Sequence, residues 1–195
     1  LSGFDEEHQL SLQVIRENML KNHGYYKVTE DGVEQCLISC DDGVYRFTPP
    51  ESEEQDWTVE KLVDEAASDA VLVDLDQDGE KELILISPFH GEHIYFYKKI
   101  DGDYKKVYTY DTADFAHAIY GGTLLGKPAV IIGHRKGERN LLLFTWEQEK
   151  GQYQVEILDR DCGPANVFKY ERGTEEVLIS TNREIDEVAM YTFEK

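Results

Sequence analysis

Residues 71–87 read Val71-Leu72-Val73-Asp74-Leu75-Asp76-Gln77-Asp78-Gly79-Glu80-Lys81-Glu82-Leu83-Ile84-Leu85-Ile86-Ser87: an apolar run, an acidic loop closed by glycine, and a second apolar run. Gly79 belongs to a series. Gly32, Gly79, Gly126 and Gly173 recur every 47 residues. Each is followed by a β-rich run: Cys36–Ser39, Leu83–Ser87, Val130–Gly133 and Val177–Ser180. Aromatic-ended runs come next, at Val44–Phe47, Ile94–Tyr97, Leu141–Phe144 and Val188–Tyr191. Short apolar stretches precede the glycines at Tyr25–Val28, Val71–Val73, Ala118–Tyr120 and Asn166–Phe168, and alternating segments begin at Trp57, Tyr104 and Tyr153.

That pattern is four short strands per repeat with turn residues between them. A period of this length with four strands in each unit predicts an all-β chain, a β-propeller with four four-stranded blades. One such sheet cannot bury both faces, and stacking the sheets around an axis does so. The blades are expected at about 22–68, 69–115, 116–162 and 163–195. The last has only three strands, one before Gly173 and two after it. Its missing strand is expected from residues 5–17, where Leu10, Leu12 and Val14 alternate, although 6–20 also suits an amphipathic helix. Two totals fit: a four-blade ring, or the C-terminal part of a larger propeller with blades upstream.

Composition bounds the partners. Forty Asp and Glu against twenty Lys and Arg give a net charge of −20, and hydrophobic residues make up 41% of the chain, enough for a packed core. So acidic a surface repels phosphate backbones, which disfavours nucleic acid, and suits cations, small neutral or sugar-like ligands, or a protein partner. No apolar run is long enough to span a membrane. Cys36 and Cys40 on one strand would lie about 13 Å apart, too far to pair. With Cys162 left over, this leans towards a reducing, cytoplasmic setting.

In Asp74-Leu75-Asp76-Gln77-Asp78-Gly79-Glu80-Lys81-Glu82, acidic residues at positions 1, 3 and 5 point oxygens inward around a tight turn. A carbonyl at Glu80 and the carboxylate of Glu82 can complete a hard-oxygen shell that suits Ca²⁺. An acidic hairpin without metal is the plainer alternative. Residues 71–83 and the strand after them resemble the FG-GAP/VCBS repeat family. The resemblance implies a calcium-stabilised β-propeller, with extracellular use common, and a structural calcium held by Asp74, Asp76, Asp78, Glu80 and Glu82. The other blades depart from it: Lys27, Thr29 and Asp31, then Gly121, Thr123 and Leu125, then Phe168, Tyr170 and Arg172 stand where the aspartates would.

The loops between second and third strands lie at the opposite end. They carry His90, His93, His134, Arg135, Asn182, Arg183 and Glu184, while the segments leading into the first strands bring His23, Asp69, His117 and Asn166 to the same rim. Such residues are expected to bind a ligand (His23, His90, His93, Asn166, Asn182, Glu184), with a second divalent metal at the His-rich rim, notably on His90 and His93. The bland alternative is a set of solvated turns. The first functional expectation is therefore a calcium-stabilised ligand- or partner-binding propeller, possibly for carbohydrate. The second is a metal-assisted carbohydrate lyase or dehydratase, by likeness to propeller enzymes of that kind. There His117 or His134 would be the base and Arg135 or Arg183 would steady an enolate. Under this enzyme reading the rim imidazoles should converge to within about 4–6 Å on a common point, at least one of them perturbed by a charged neighbour, whereas rings splayed into solvent would speak against catalysis.

Overall fold

A computed structural model of the chain describes residues 12–52 and 54–194. Strands β1 (Tyr25–Glu30), β2 (Val33–Cys40), β3 (Gly43–Thr48) and β4 (Thr58–Val63) form the first antiparallel sheet. The second is β5 (Asp69–Val73), β6 (Glu82–Ser87), β7 (His93–Ile100) and β8 (Asp103–Tyr110). The third is β9 (Ala116–Leu124), β10 (Lys127–His134), β11 (Leu141–Glu147) and β12 (Gln152–Asp159). The last has three strands, β13 (Pro164–Arg172), β14 (Glu175–Asn182) and β15 (Glu187–Glu194). Every strand pairs with its sequence neighbour, so each sheet is a meander, and together they make a four-blade propeller arrangement.

The periodic glycines are the turns that start each second strand. Gly32, Gly79, Gly126 and Gly173 all have positive φ, between 62° and 96°, a conformation that a Cβ disfavours. Asp31-Gly32 and Leu125-Gly126 are two-residue connections with both φ positive, the geometry whose twist matches antiparallel strands. In the second sheet the same connection is the longer acidic loop.

Buried side chains gather between sheets. Ile84, Ile86, Ile94 and Phe96 of the second sheet meet Val130, Ile132, Leu142 and Phe144 of the third. Val28, Leu37 and Val44 meet Leu72, Leu83 and Leu85 between first and second. Ile131, Leu141 and Cys162 meet Leu178, with Tyr191 and Phe193, between third and fourth. Among the described residues no such cluster joins the fourth sheet to the first, and Phe168, Val188 and Met190 of the fourth are exposed. The strands of the inner edge approach closely: a Cβ on Gly121 would lie 2.8 Å from Val71 Cβ and Val73 Cγ2, and the Tyr26 hydroxyl donates to the Gly121 carbonyl at 3.0 Å.

One expectation is corrected. Residues 12–17 do not complete the last sheet, and they form neither strand nor helix. Leu12 and Val14 are exposed, and Arg16 turns to the first sheet instead, with its guanidinium carbon 4.5 Å from the Tyr45 ring centroid. The rest of the 5–17 segment lies outside the described residues. The three cysteines are free.

Gly121 stands where the second sheet has Asp74, and close packing explains the departure. Gly121→Val should destabilise the protein by about 1–3 kcal/mol through overpacking, read as a lower midpoint in urea, whereas Thr123→Ser should change it little.

Candidate functional site

Three histidines converge at one end of the sheets. His23 lies just before β1, His90 in the loop between β6 and β7, and His117 at the start of β9. They therefore come from three successive blades, and each offers a ring nitrogen within 4.8 Å of the others. His90 stacks on His117 with centroids 4.7 Å apart, and His23 meets both edge-on at 4.9 and 5.6 Å. The convergence follows from the repeat. His23 and His117 occupy corresponding slots on the blades flanking the second sheet, and the second sheet's own loop drops His90 between them. His90 adopts φ +49°, a left-handed conformation that helps the loop double back.

The hydrogen bonds orient the rings. His23 Nδ1 is 3.2 Å from the Ser68 carbonyl and His117 Nδ1 is 2.7 Å from that of Ala165. A carbonyl can only accept, so both Nδ1 atoms carry the proton and each Nε2 keeps a free lone pair. His90 Nε2 is buried and has no partner among the described residues. Burial, then the nearby His117, His23 and Arg135, pulls His90 down to about 4, and burial also lowers His117. Imidazoles of this kind, two of them with backbone-anchored Nδ1 atoms, make a donor set that suits a transition metal. A tetrahedral metal at about 2.0–2.1 Å would need nitrogens roughly 3.4 Å apart, so a pair at the 4.8 Å limit would draw in by about 1.4 Å.

The surroundings are aromatic and cationic. Phe89 and Phe115 pack against His90 at 4.2 and 5.0 Å. Arg135 lies over Phe115 at 4.9 Å and donates twice to Glu184 Oε1, at 2.8 and 2.6 Å. That bond lies across the third and fourth sheets, and it holds the Glu184 carboxyl below its ordinary value. A shallow cleft of about 450 Å³ adjoins, lined by Pro88, Phe89, His90, Asp114, Phe115 and Lys136 among others.

Other rim residues are placed elsewhere or spent on the fold. His134 is 1% exposed. Its Nδ1 donates to the Lys136 carbonyl at 2.9 Å and its Nε2 accepts from the Asn140 amide at 3.0 Å, so neither nitrogen is left to take a proton from a ligand. Its place is inside its own hairpin. His93 pairs with Asp111 at 3.3 Å and stacks on Tyr95, on the outer side of β7, so it does not join His90. Its sequence neighbours alternate faces, and that is why two residues in one motif part company. Asn182 is buried, accepting from Ser180 Oγ and donating to Glu187. Asn166 is exposed, and its amide donates to Thr181 Oγ1 at 3.0 Å. Arg183 opens a short 3₁₀ turn, Arg183–Ile185, beside Glu184 and is exposed.

At the far end of β6 the acidic loop does bring Asp74, Asp76 and Asp78 together, with oxygens within 4.8 Å. Asp74 accepts from the amides of Asp78 and Gly79, both at 3.1 Å. Glu82 is fully buried and accepts from the Leu75 amide at 2.8 Å and the Tyr153 hydroxyl at 3.1 Å. Glu80 is exposed, its amide donating to Asp78 Oδ1 at 2.9 Å. The donor set suits calcium, yet a residue not foreseen from the motif stands among these carboxylates. The Lys98 ammonium bonds Asp76, lies 2.6 Å from Asp78 and is 3.8 Å from Glu82. Its signal was present in the chain: Ile94, Phe96 and Lys98 share one face of β7, so a lysine sits at the end of a core stripe.

No family model matches the chain, and no curated protein matches it. In fold it is similar to a solved structure assigned as a 6-phosphogluconolactonase from Bacteroides fragilis, with a TM-score of 0.57 and 17% identity over 89% of this chain. The chain spans about half the length of that structure. At this identity the likeness speaks for the propeller fold.

Asp69, at the start of β5 and next to the Ser68 carbonyl that anchors His23, is a further perturbed group of this end. Burial pushes its carboxyl from 3.8 up to about 7, against the bond it accepts from the Ala70 amide. A carboxylate harder to ionise when folded weakens folding once the unfolded chain ionises. That penalty is absent below about pH 4, grows up to pH 7 and is constant above. Asp69→Asn should therefore stabilise the protein above pH 7, by up to about 4 kcal/mol and by less where water reaches the half-buried carboxyl. Its advantage should vanish by about pH 4, as read from urea unfolding across that range.

Proposed function

We propose that the protein is a ligand-binding β-propeller whose functional end is the His23–His90–His117 cluster, which takes a divalent transition metal and beside it a small, oxygen-rich, sugar-like ligand. The observation that carries this reading is the convergence of three imidazoles from three blades, one with a buried nitrogen that has no partner among the described residues. The cleft beside them supplies the rest. Phe89 and Phe115 offer apolar faces for a sugar ring, Lys136 offers hydrogen bonds to hydroxyl or carboxylate oxygens, and Arg135 lies close by over the Phe115 ring. Three protein ligands leave a coordination position for a ligand oxygen, where a metal would polarise it. A solved propeller of this fold bears the name of a sugar-lactone enzyme, which points the same way. The FG-GAP/VCBS likeness of residues 71–83 agrees with the architecture.

The lyase or dehydratase alternative has less to stand on. Of its two candidate bases, His134 is closed within its hairpin and His117 keeps only Nε2. If that atom ligates a metal it is not free to accept a proton. Binding is thus the function the geometry supports best.

Titration of the chelator-treated protein with Zn²⁺ or Ni²⁺ by calorimetry tests this. One ion should bind per chain at this cluster, and His23→Ala, His90→Ala and His117→Ala should each weaken it by roughly 100-fold or more. His93→Gln should bind as the parent does. Failure of the parent to bind, or an equal loss in His93→Gln, would refute the site. Sugars and sugar acids screened by thermal shift should stabilise the metal-loaded protein more than the metal-free one.

A further inference from the structure

The acidic loop between β5 and β6 is the one motif of the chain whose expected cation is contested by a side chain. Four carboxylates meet there, from Asp74, Asp76, Asp78 and Glu82, and Lys98 reaches into them from β7 across the strand pair. The lysine is not a loose surface group. Its side chain is 20% exposed, that of Asp76 11% and that of Glu82 0%. Its 2.6 Å contact to Asp78 is close to the 2.3–2.6 Å at which calcium takes oxygen ligands.

We infer that Lys98 is the loop's own cation: its tethered ammonium takes the place of the calcium ion that the Asp74-x-Asp76-x-Asp78-Gly79 pattern would otherwise hold, so the loop folds without metal. The remaining oxygens are already committed. Both Asp74 oxygens accept loop amides, and one oxygen each of Asp76 and Asp78 accepts the amides of Asp78 and Glu80. One ammonium leaves excess negative charge, and these amide bonds, with the Leu75 amide and Tyr153 hydroxyl on Glu82, spread it. The loop is also fastened to its neighbours without metal, since Gln148 of the third sheet donates to the Asp76 carbonyl at 2.8 Å.

A second blade repeats the device. Glu176, 94 residues after Glu82 and likewise at the start of its sheet's second strand, is 2% exposed. The Lys169 ammonium lies 3.0 Å from it, and it accepts from the Leu125 amide at 2.9 Å. That blade has no aspartate loop at all. This lysine comes from the first strand of its sheet and Lys98 from the third, so the two blades reach a lysine beside a buried glutamate from different positions, one of them with no calcium pattern.

The test is melting in excess EGTA and in millimolar Ca²⁺, with terbium luminescence sensitised through Tyr153 as a direct probe of the loop. The parent should melt within about 1 °C in the two buffers and give no more terbium signal than Asp76→Asn. Lys98→Met should melt roughly 10 °C lower in EGTA, because its partners lose their counter-charge, and regain several degrees with calcium while acquiring terbium luminescence. A parent that is stabilised by calcium and binds terbium at the loop overturns the inference. So does a Lys98→Met protein that stays indifferent to both ions. If Lys98→Met does not fold in EGTA, recovery of the fold on adding calcium supports the inference and lack of recovery overturns it.

Discussion

The close approach of β1, β5 and β9 is the constraint on which the rest depends. Gly121 lets β9 lie against Val71 and Val73, and the Tyr26 hydroxyl reaches past β5 to the Gly121 carbonyl. With the inner edges held so tightly, anything carried at the end of those strands must meet. His23 and His117 each anchor to the backbone of the next blade, at Ser68 and Ala165. The site is thus made of the same contacts that assemble the blades, and its precision derives from packing between sheets and not from any one loop.

The two ends of the sheets solve opposite electrostatic problems. At the loop end of β5, carboxylates crowd and need a positive partner, which Lys98 supplies. At the histidine end, burial and the Arg135 charge keep imidazoles neutral, which leaves lone pairs to offer. The chain's overall charge of −20 would favour cations everywhere. What distinguishes the histidine end is that its donors are nitrogen, so the ion proposed there is softer than the calcium or magnesium that an acidic surface attracts unspecifically.

The architecture was legible because glycine at positive φ and strand-length apolar runs are local signals that repeat. Gly32, Gly79, Gly126 and Gly173 mark the same turn in each blade, and counting between them was enough to order the strands. The gathering of histidines onto one rim was legible for the same reason. Which of them share a site was not. His90 and His93 look like a pair in sequence, yet three residues of separation across a strand start send them to different faces. His134 looks available until its hairpin closes on both nitrogens. Lys98 could be placed at the end of the Ile94–Phe96 stripe, but its partners could not, because the contact is with a loop 20 residues away along the chain. The strand expected near Leu12 and Val14 rested on too few residues to outweigh the pull of Tyr45 on Arg16.

Imidazole nitrogen NMR addresses the central claim most directly, because it sees each ring without changing it. The account predicts Nδ1-protonated tautomers for His23 and His117, and on addition of one equivalent of Zn²⁺ large shifts of the His23, His90 and His117 nitrogens only, with His93 and His134 unmoved. Shifts shared by His93 or His134, or no response from His90, would mean that the three blades do not bring those rings to one point.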